Sequence, residues 1–482
     1  MQLNPELVKR SLDAHSAIGL VVGVLMYLIC LTGTLAALAE GFERWEQPAI
    51  PELERMAPDA IATAMENFQS DVEAQPEALW VVLPTEQIPR VHVAGTDQEF
   101  WTDPEGKLLE PPTENWTHML RELHLSLHLP HTPGLIIVSA AGAMLVALII
   151  SGLLAHPRLF KDAFKLRLGG SRRLEQADIH NRLSVWGLPF HLMIAVTGAF
   201  YGLVGILVYS AAAAWYDGDP EAMFDAVYGA DPVIQAQITA LQPAEAMRQL
   251  QARHPDVSPI YLVAHKAGTE AQFMEIAASV PGRLAYSEIY RFDAQGNYLG
   301  DQGLTNGPGG RQFLYSLYRI HFGYFGGWPT RIAWLCLGLM LTAVSVTGVN
   351  IWLAKRGIDD WIPRAWNGFV WGAPLALALS ALGAVLMALP ALPLFLATLA
   401  VTLLASLRRI DTRHMARLLQ GLTALTLAVL GAGHLAIYAP AEHGHYLWAI
   451  NLGLLLTAAV FAVVALLEQR SQAAAAPSAT TA

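Results

Sequence analysis

The sequence predicts a mainly α membrane protein. A duplicated unit of helix, external α+β domain and helix gives a core of four transmembrane helices, and four extra C-terminal transmembrane helices follow. Three observations carry this expectation. Of 482 residues, 54% are hydrophobic and 15% charged, against about 25% charge in soluble domains. Apolar runs long enough to cross a bilayer recur near 17–39, 135–155, 184–212, 331–353, 367–388, 391–407, 418–438 and 446–467. Charge is segregated: the two long connections, 40–133 and 213–325, carry 30 of the 40 acids and 12 of the 30 Lys and Arg, a net of −18. Such a chain is neither an ordinary soluble enzyme nor, at net −10, a nucleic-acid binder.

In chain order the expected organisation is an N-terminal segment with the first span (1–39), an external domain (40–133), the second span, a basic loop and the third span (134–212), a second external domain (213–325), the fourth span (326–356), a four-span extension (357–468) and an unstructured tail (469–482). Basic residues gather at Lys9–Arg10, at 158–182, at Lys355–Arg364 and at Arg408–Arg417. The positive-inside rule makes these clusters cytoplasmic, and an even number of spans returns the C-terminus to the same side. Both acidic loops then face the periplasm or cell exterior. The first span ends LAALAE, which offers a small-residue cleavage site, but its length and its recurrence inside the chain favour an uncleaved helix. Within the loops, a helix at 241–254 precedes strand patterns SPIYLVAHK, AQFMEIAAS and AYSEIYRFDAQGNYLGDQG, and ALWVVLP, IPRVHVA and EFWTDPEGKLLE repeat the device.

The recurrence is the most informative pattern. Residues 10–35 superpose on 175–200 with a constant offset of 165, matching His15 to His180 and Thr32-Gly33 to Thr197-Gly198. The second and fourth spans align on Ser151-Gly152 and Thr347-Gly348, which brings His124 and His321 within one residue of correspondence. A single histidine near a membrane interface is ordinarily an amphipathic residue with its tip in water; interfacial residues have no reason to repeat two by two. Pairs of histidines on facing helices can supply both axial nitrogens to a haem iron, so two layers, His15/His180 inside and His124/His321 outside, point to two b-type haems. The chain's two cysteines, Cys30 and Cys336, both lie in apolar runs and provide no CxxCH attachment, CxxC redox pair or disulfide framework.

Gly33, Gly152, Gly198 and Gly348 fall in the half of each helix opposite that helix's own histidine, where a glycine lets a flat macrocycle approach the backbone; close helix packing through small residues is the competing reading. His191 lies 11 residues after His180 on nearly the same face, and its repeat partner is Met26. The two can ligate a third iron or simply pack. His128, four residues after His124, is the competitor for the outer ligand position, while His434, His443 and His445 read as solvated or packing residues.

At these residues the sequence resembles the PepSY-associated transmembrane helix family, whose better understood members are inner-membrane reductases of ferric siderophores. The resemblance covers about 8–356 and rests on HSAIGL from His15 with Thr32-Gly33, LHLSL from Leu123 with Ser151-Gly152, the His180 element with Thr197-Gly198, RIHFGYFGG from Arg319 with TGVNIWL from Thr347, and the endings TDPEGKLLE and FDAQGNYLG. It implies bis-histidine heme b and electron flow from the cytoplasmic to the external face, with a cytoplasmic flavin or NAD(P)H reductase or a membrane quinol as donor. No GxGxxG fingerprint is present for a nucleotide of the chain's own, and electron transfer to a ferric chelate needs no catalytic acid or base. Two rival readings are a non-enzymatic regulator that binds peptide through its external domains, and a permease.

Overall fold

The computed structural model describes all residues except 1–3, 72–77, 114, 157, 165–166, 168–170, 409, 439–444 and 476–482. The elements in chain order are α1 (Pro5–Ala36), α2 (Ala39–Glu46), α3 (Pro58–Asp71), β1 (Ala78–Val82), β2 (His92–Ala94), β3 (Glu99–Trp101), α4 (Trp116–Leu125), α5 (His131–Ala155), α6 (Leu159–Asp162), α7 (Arg172–Trp186), α8 (Leu188–Trp215), α9 (Pro220–Tyr228), α10 (Pro243–Arg253), β4 (Ser258–His265), β5 (Phe273–Ser279), β6 (Glu288–Phe292), β7 (Tyr298–Asp301), α11 (Gly309–Phe322), α12 (Gly327–Arg356), α13 (Trp361–Met387), α14 (Ala391–Ser406), α15 (Thr412–Tyr438) and α16 (His445–Ala475). They form a helical unit (1–46, 114–202, 332–482) and a sheet unit (47–113, 203–331).

Seven helices of the described residues are long and apolar enough to cross a membrane, and the chain is a multi-pass membrane protein. The sixth of the eight expected spans, 391–407, is α14, whose 16 residues give about 24 Å of helix, short of a bilayer core of about 30 Å. Pro390 precedes it and Leu407 caps it, which fixes its length. The third span is reached through two helices, because the chain turns at Gly187 between α7 and α8. The expected tail begins later than 469: α16 continues to Ala475, and the rest lies outside the described residues.

The extension grips the core through single polar anchors. The Tyr27 hydroxyl of α1 donates to the Val370 carbonyl of α13 at 2.6 Å, and Trp116 Nε1 of α4 donates to the Leu377 carbonyl at 3.0 Å. Asn350 of α12 accepts from Trp366 Nε1 at 3.0 Å and donates to Gln176 Oε1 at 3.1 Å. A closed ring joins α2, α15 and α16: Trp45 Nε1 donates to Asn451 Oδ1 (3.0 Å), Asn451 Nδ2 to His434 Nδ1 (3.1 Å), and His434 Nε2 to the Trp45 carbonyl (2.9 Å). All three side chains are buried, and each polar group has its partner, which is what makes a polar cluster tolerable in an apolar bundle.

In the sheet unit the two loop segments do not form separate domains. Their first strands pair antiparallel, Trp80 opposite Val263 and Val81 opposite Leu262, giving one seven-stranded sheet of order β3-β2-β1-β4-β5-β6-β7. Period-two alternation turns Leu79, Val81, Leu262, Ala264, Met274, Ile276, Tyr290 and Phe292 to one face, where Ile61, Ala64, Met65 and Phe68 of α3 and Ala246, Met247 and Leu250 of α10 cover them. On the opposite face Glu275 accepts from Arg291 Nε at 2.9 Å and from His265 Nε2 at 3.2 Å. Burial works to raise the Glu275 pKa, but these bonds outweigh it and hold the group below its ordinary value.

His92 gives this unit a pH signature. Its Nε2 lies 3.2 Å from Glu99, its Nδ1 is buried without a partner, and burial lowers its pKa to about 4. The unfolded chain takes up this proton below about pH 6.5, so stability should fall progressively as pH drops from about 6.5 to about 4, by ~2 kcal/mol for a side chain that keeps some solvent contact. Thermal unfolding followed by tryptophan fluorescence should show a smaller acid loss in His92→Gln than in the wild type; equal losses would remove His92 as the cause.

Candidate haem-ligand sites in the helical bundle

The inner pair is assembled by α1 and α7. Asn4 caps α1 by accepting from the Glu6 amide, with Pro5 in the first turn, and His15 follows ten residues on, on the face toward α5. Its ring centre lies 6.3 Å from that of His180, with the planes at 82°. Each ring is held from behind by the neighbouring helix: His15 Nδ1 bonds the Leu148 carbonyl at 3.0 Å and faces Ser151 Oγ at 3.3 Å. His180 Nδ1 bonds the Val344 carbonyl and Thr347 Oγ1, both at 3.1 Å. Ser151 and Thr347 spend their own hydrogens on helix carbonyls, so their oxygens are acceptors.

The outer histidine repeats the arrangement. α4 is capped by Asn115, which accepts from the His118 amide, and buries Trp116, Met119, Leu120 and Leu123. His124 Nδ1 bonds the Ile29 carbonyl at 3.0 Å. Burial lowers its pKa, opposed in part by that bond. In all three cases the accepting carbonyl lies three residues before the Ser or Thr of a [Ser/Thr]-Gly pair, and the glycine gives the imidazole its room. A Cβ on Gly33 would lie 2.7 Å from His124 Nδ1, one on Gly152 would lie 3.2 Å from His15 Cε1, and one on Gly348 would lie 3.4 Å from His180 Cε1. The nearest neighbour of these glycines is therefore an imidazole on another helix. Gly198 of the fourth pair serves the α5–α8 contact, its carbonyl accepting from Ser139 Oγ at 3.0 Å.

An Nδ1–H fixed on a carbonyl leaves Nε2 as a bare lone pair, the state a metal-binding imidazole requires. Two metal–nitrogen bonds of about 2.0 Å plus about 1.1 Å from each nitrogen to its ring centre sum to roughly 6.2 Å, which is the spacing found for His15 and His180. These residues fit an iron with two axial imidazoles. Sequence reasoning found the histidines but not the carbonyls of Leu148, Val344 and Ile29 or the hydroxyls beside them; the repeated [Ser/Thr]-Gly pair was their signal.

The remaining histidines separate clearly. His321 lies in α11 of the sheet unit, its ring 5.4 Å from Phe322, so its partnership with His124 rests on the sequence repeat. His128 does not share the face of His124: α4 ends at Leu125, His128 adopts a left-handed conformation (φ 54°), and its Nε2 donates to the Met119 carbonyl at 3.0 Å. His434 uses both nitrogens in the ring with Trp45 and Asn451, His445 begins α16, and His443 lies outside the described residues. Met26 and His191 are both buried. Among the described residues no three His, Cys, Asp or Glu side chains form a metal cage.

A family described as the PepSY-associated TM region matches residues 12–355. The chain belongs to it. The match ends where α12 ends, so α13–α16 lie beyond the PepSY-associated region. An uncharacterized protein of Pseudomonas aeruginosa, PA4219, is 28% identical over 341 residues, covering 66% of this chain and 86% of its own. The four [Ser/Thr]-Gly pairs and the four repeated histidines all fall inside the matched PepSY-associated segment.

Proposed function

We propose that this protein is an inner-membrane b-type dihaem reductase that carries electrons from the cytoplasmic side, or from the quinol pool, to the iron of a ferric siderophore in the periplasm. The observation that carries this reading is the His15–His180 pair: two neutral-ready imidazoles at a bis-axial spacing, each with Nδ1 spent on a backbone carbonyl. His15 and His180 would hold the inner haem, and His124 and His321 the outer one, with Gly33, Gly152, Gly198 and Gly348 beside them. When bound, haem supplies reversible one-electron transfer. The chain's own residues fix the imidazole tautomers by holding each Nδ1–H on a backbone carbonyl. Through the acidic segments, the chain also presents a negative face to the substrate. Ferric iron held by hard oxygen donors becomes, on gaining one electron, a softer and more weakly bound ferrous ion, so reduction is also release.

Orientation follows from charge: the −18 segments face outward and the basic clusters inward. Neutral or cationic ferric chelates should be reduced faster than strongly anionic ones, with the preference fading as added salt shortens the Debye length below its physiological value of about 8 Å. The test is a pyridine haemochrome assay, followed by stopped-flow reoxidation of the dithionite-reduced protein by ferric siderophores, cupric salts and quinones. Two haems per chain and fast reoxidation by a ferric chelate are expected. Absence of a Soret band after haem-supplemented expression would overturn the reading in favour of a peptide-binding regulator, and reoxidation by quinone alone would make the protein a quinone-linked oxidoreductase.

A further inference from the structure

The first helix of the extension reaches the helices of both inner histidines. Pro374 inside α13 has no N–H, so the Val370 carbonyl one turn earlier lacks its helical donor. The Tyr27 hydroxyl of α1, the helix that carries His15, supplies the hydrogen at 2.6 Å. The rings of Trp366 and Phe369 stand edge-on to Tyr27, 6.0 and 5.5 Å away. One turn before Val370, Trp366 Nε1 donates to Asn350 Oδ1 of α12 at 3.0 Å, and Asn350 Nδ2 donates to Gln176 Oε1 of α7 at 3.1 Å. Gln176 lies one turn before His180 on the same face of α7.

The direction of this chain of bonds is fixed by its first member. An indole N–H only donates, so the oxygen of the Asn350 amide must face Trp366 and its NH2 is left for Gln176. The Asn350–Gln176 bond is a second rung beside the one that orients the ligand. His180 Nδ1 bonds the Val344 carbonyl and Thr347 Oγ1 of α12, and Asn350 follows Thr347 by one turn. α12 is thus bonded to α7 at two successive turns, and the second is organised from α13. The setting is apolar: Trp366 is buried with Tyr27, Val370 and Ala373, and Val346, Val349 and Leu353 of α12 pack against the same cluster. In such surroundings a hydrogen bond is stronger than in water, and an acceptor that loses its donor is correspondingly costly. Contacts run from α1 through α13 and α12 to α7, and the His15 and His180 rings close the circuit with their centres 6.3 Å apart.

We propose that α13 sets the relative position of the two inner histidines, with Asn350 as the positioning residue through which Trp366 holds the His180 turn of α7. It rests on the haem reading only for what the two rings would bind. Hydrogen exchange followed by mass spectrometry, on full-length protein with and without haem, reads the His180 turn directly. Trp366→Phe keeps most of the ring's bulk and removes the N–H, so the amides of 176–184 should exchange about fivefold faster, as expected for the loss of one hydrogen bond. Gln176→Leu should do the same, and the double variant should exceed neither single one. In haem-loaded protein the electron paramagnetic resonance signal of the inner ferric haem should shift in both variants, while the outer haem is retained and reports a folded bundle. Unchanged exchange over 176–184 in Trp366→Phe, or an inner signal identical to wild type in both variants, would overturn the proposal. Additive effects in the double variant would also overturn it, since Trp366 would then act by packing and not through Asn350. Wild-type protein without haem would refute the reductase reading, and the exchange comparison would still decide this proposal.

Discussion

His180→Ala and His15→Ala are each expected to empty the same haem, lowering the haem content from two per chain to about one, while His124→Ala empties the other. The 6.3 Å spacing leaves room for one iron between the two inner rings, so removing either ring would take away one of the two nitrogens that would hold it. The effect should be close to complete on the inner centre and slight on the fold. Alanine at 180 gives up the bond to the Val344 carbonyl, an oxygen that Thr347 also engages, and leaves a small void; together these are worth about 1–2 kcal/mol. The 82° angle between the ring planes adds a spectroscopic mark. Near-perpendicular axial imidazoles leave the iron's two π-type d orbitals nearly degenerate, so the inner ferric haem should give a strongly anisotropic low-spin electron paramagnetic resonance signal, absent from both inner variants and retained in His124→Ala. If His15→Ala and His124→Ala lost the same signal, the division into layers would be wrong.

These pairs were legible in the sequence because duplication wrote them twice: an isolated His15 carries little information, whereas His15 matched to His180 at a fixed offset, with Thr-Gly following each, carries a great deal. The strands of the sheet unit were legible for a local reason, the alternation in Leu79-Trp80-Val81 and in Tyr261-Leu262-Val263-Ala264. Their partnership was not. Pairing β1 with β4 joins residues about 180 positions apart, and nothing in either strand marks the other, so one shared sheet read as two small domains. α4 escaped notice because its ten residues mix Trp, Arg, Glu and His and run close to an apolar span; only the left-handed turn at Leu127 and His128 separates them. That turn also removed His128 from the face periodicity gave it. For Gly33, Gly152 and Gly348, helical period tells which face they share but not that the imidazole of another helix lies against it. The extension's anchors, Tyr27, Asn350, His434 and Asn451, are single polar residues with no motif around them.

The glycine contacts rank a second set of outcomes. Gly→Ala inside a helix ordinarily gains about 1 kcal/mol of helix propensity, so any loss must come from the collision of the new methyl. At Gly348 the Cβ would meet His180 Cε1 at 3.4 Å, and at Gly152 it would meet His15 Cε1 at 3.2 Å; the first is near ordinary contact and the second asks the ring to give by a few tenths of an ångström. At Gly33 the Cβ would lie 2.7 Å from His124 Nδ1, closer than any stable contact, and α4 cannot easily retreat. Trp116 is bonded to the Leu377 carbonyl, and Leu120 and Leu123 are packed against α13, α14 and α16 in one buried cluster. The His124 ring must therefore leave the Ile29 carbonyl or α1 must move, an overpacking cost of about 1–3 kcal/mol. Gly348→Ala should be neutral or slightly stabilising with both haems retained, Gly152→Ala should weaken the inner haem modestly, and Gly33→Ala should lower the melting temperature and lose most of the outer haem. Haem titration and thermal unfolding of the three variants check the order. A Gly33→Ala protein that keeps full outer-haem occupancy would mean that the ring does not rest on Gly33 when the metal is bound, and would remove the [Ser/Thr]-Gly pair from the ligand's support.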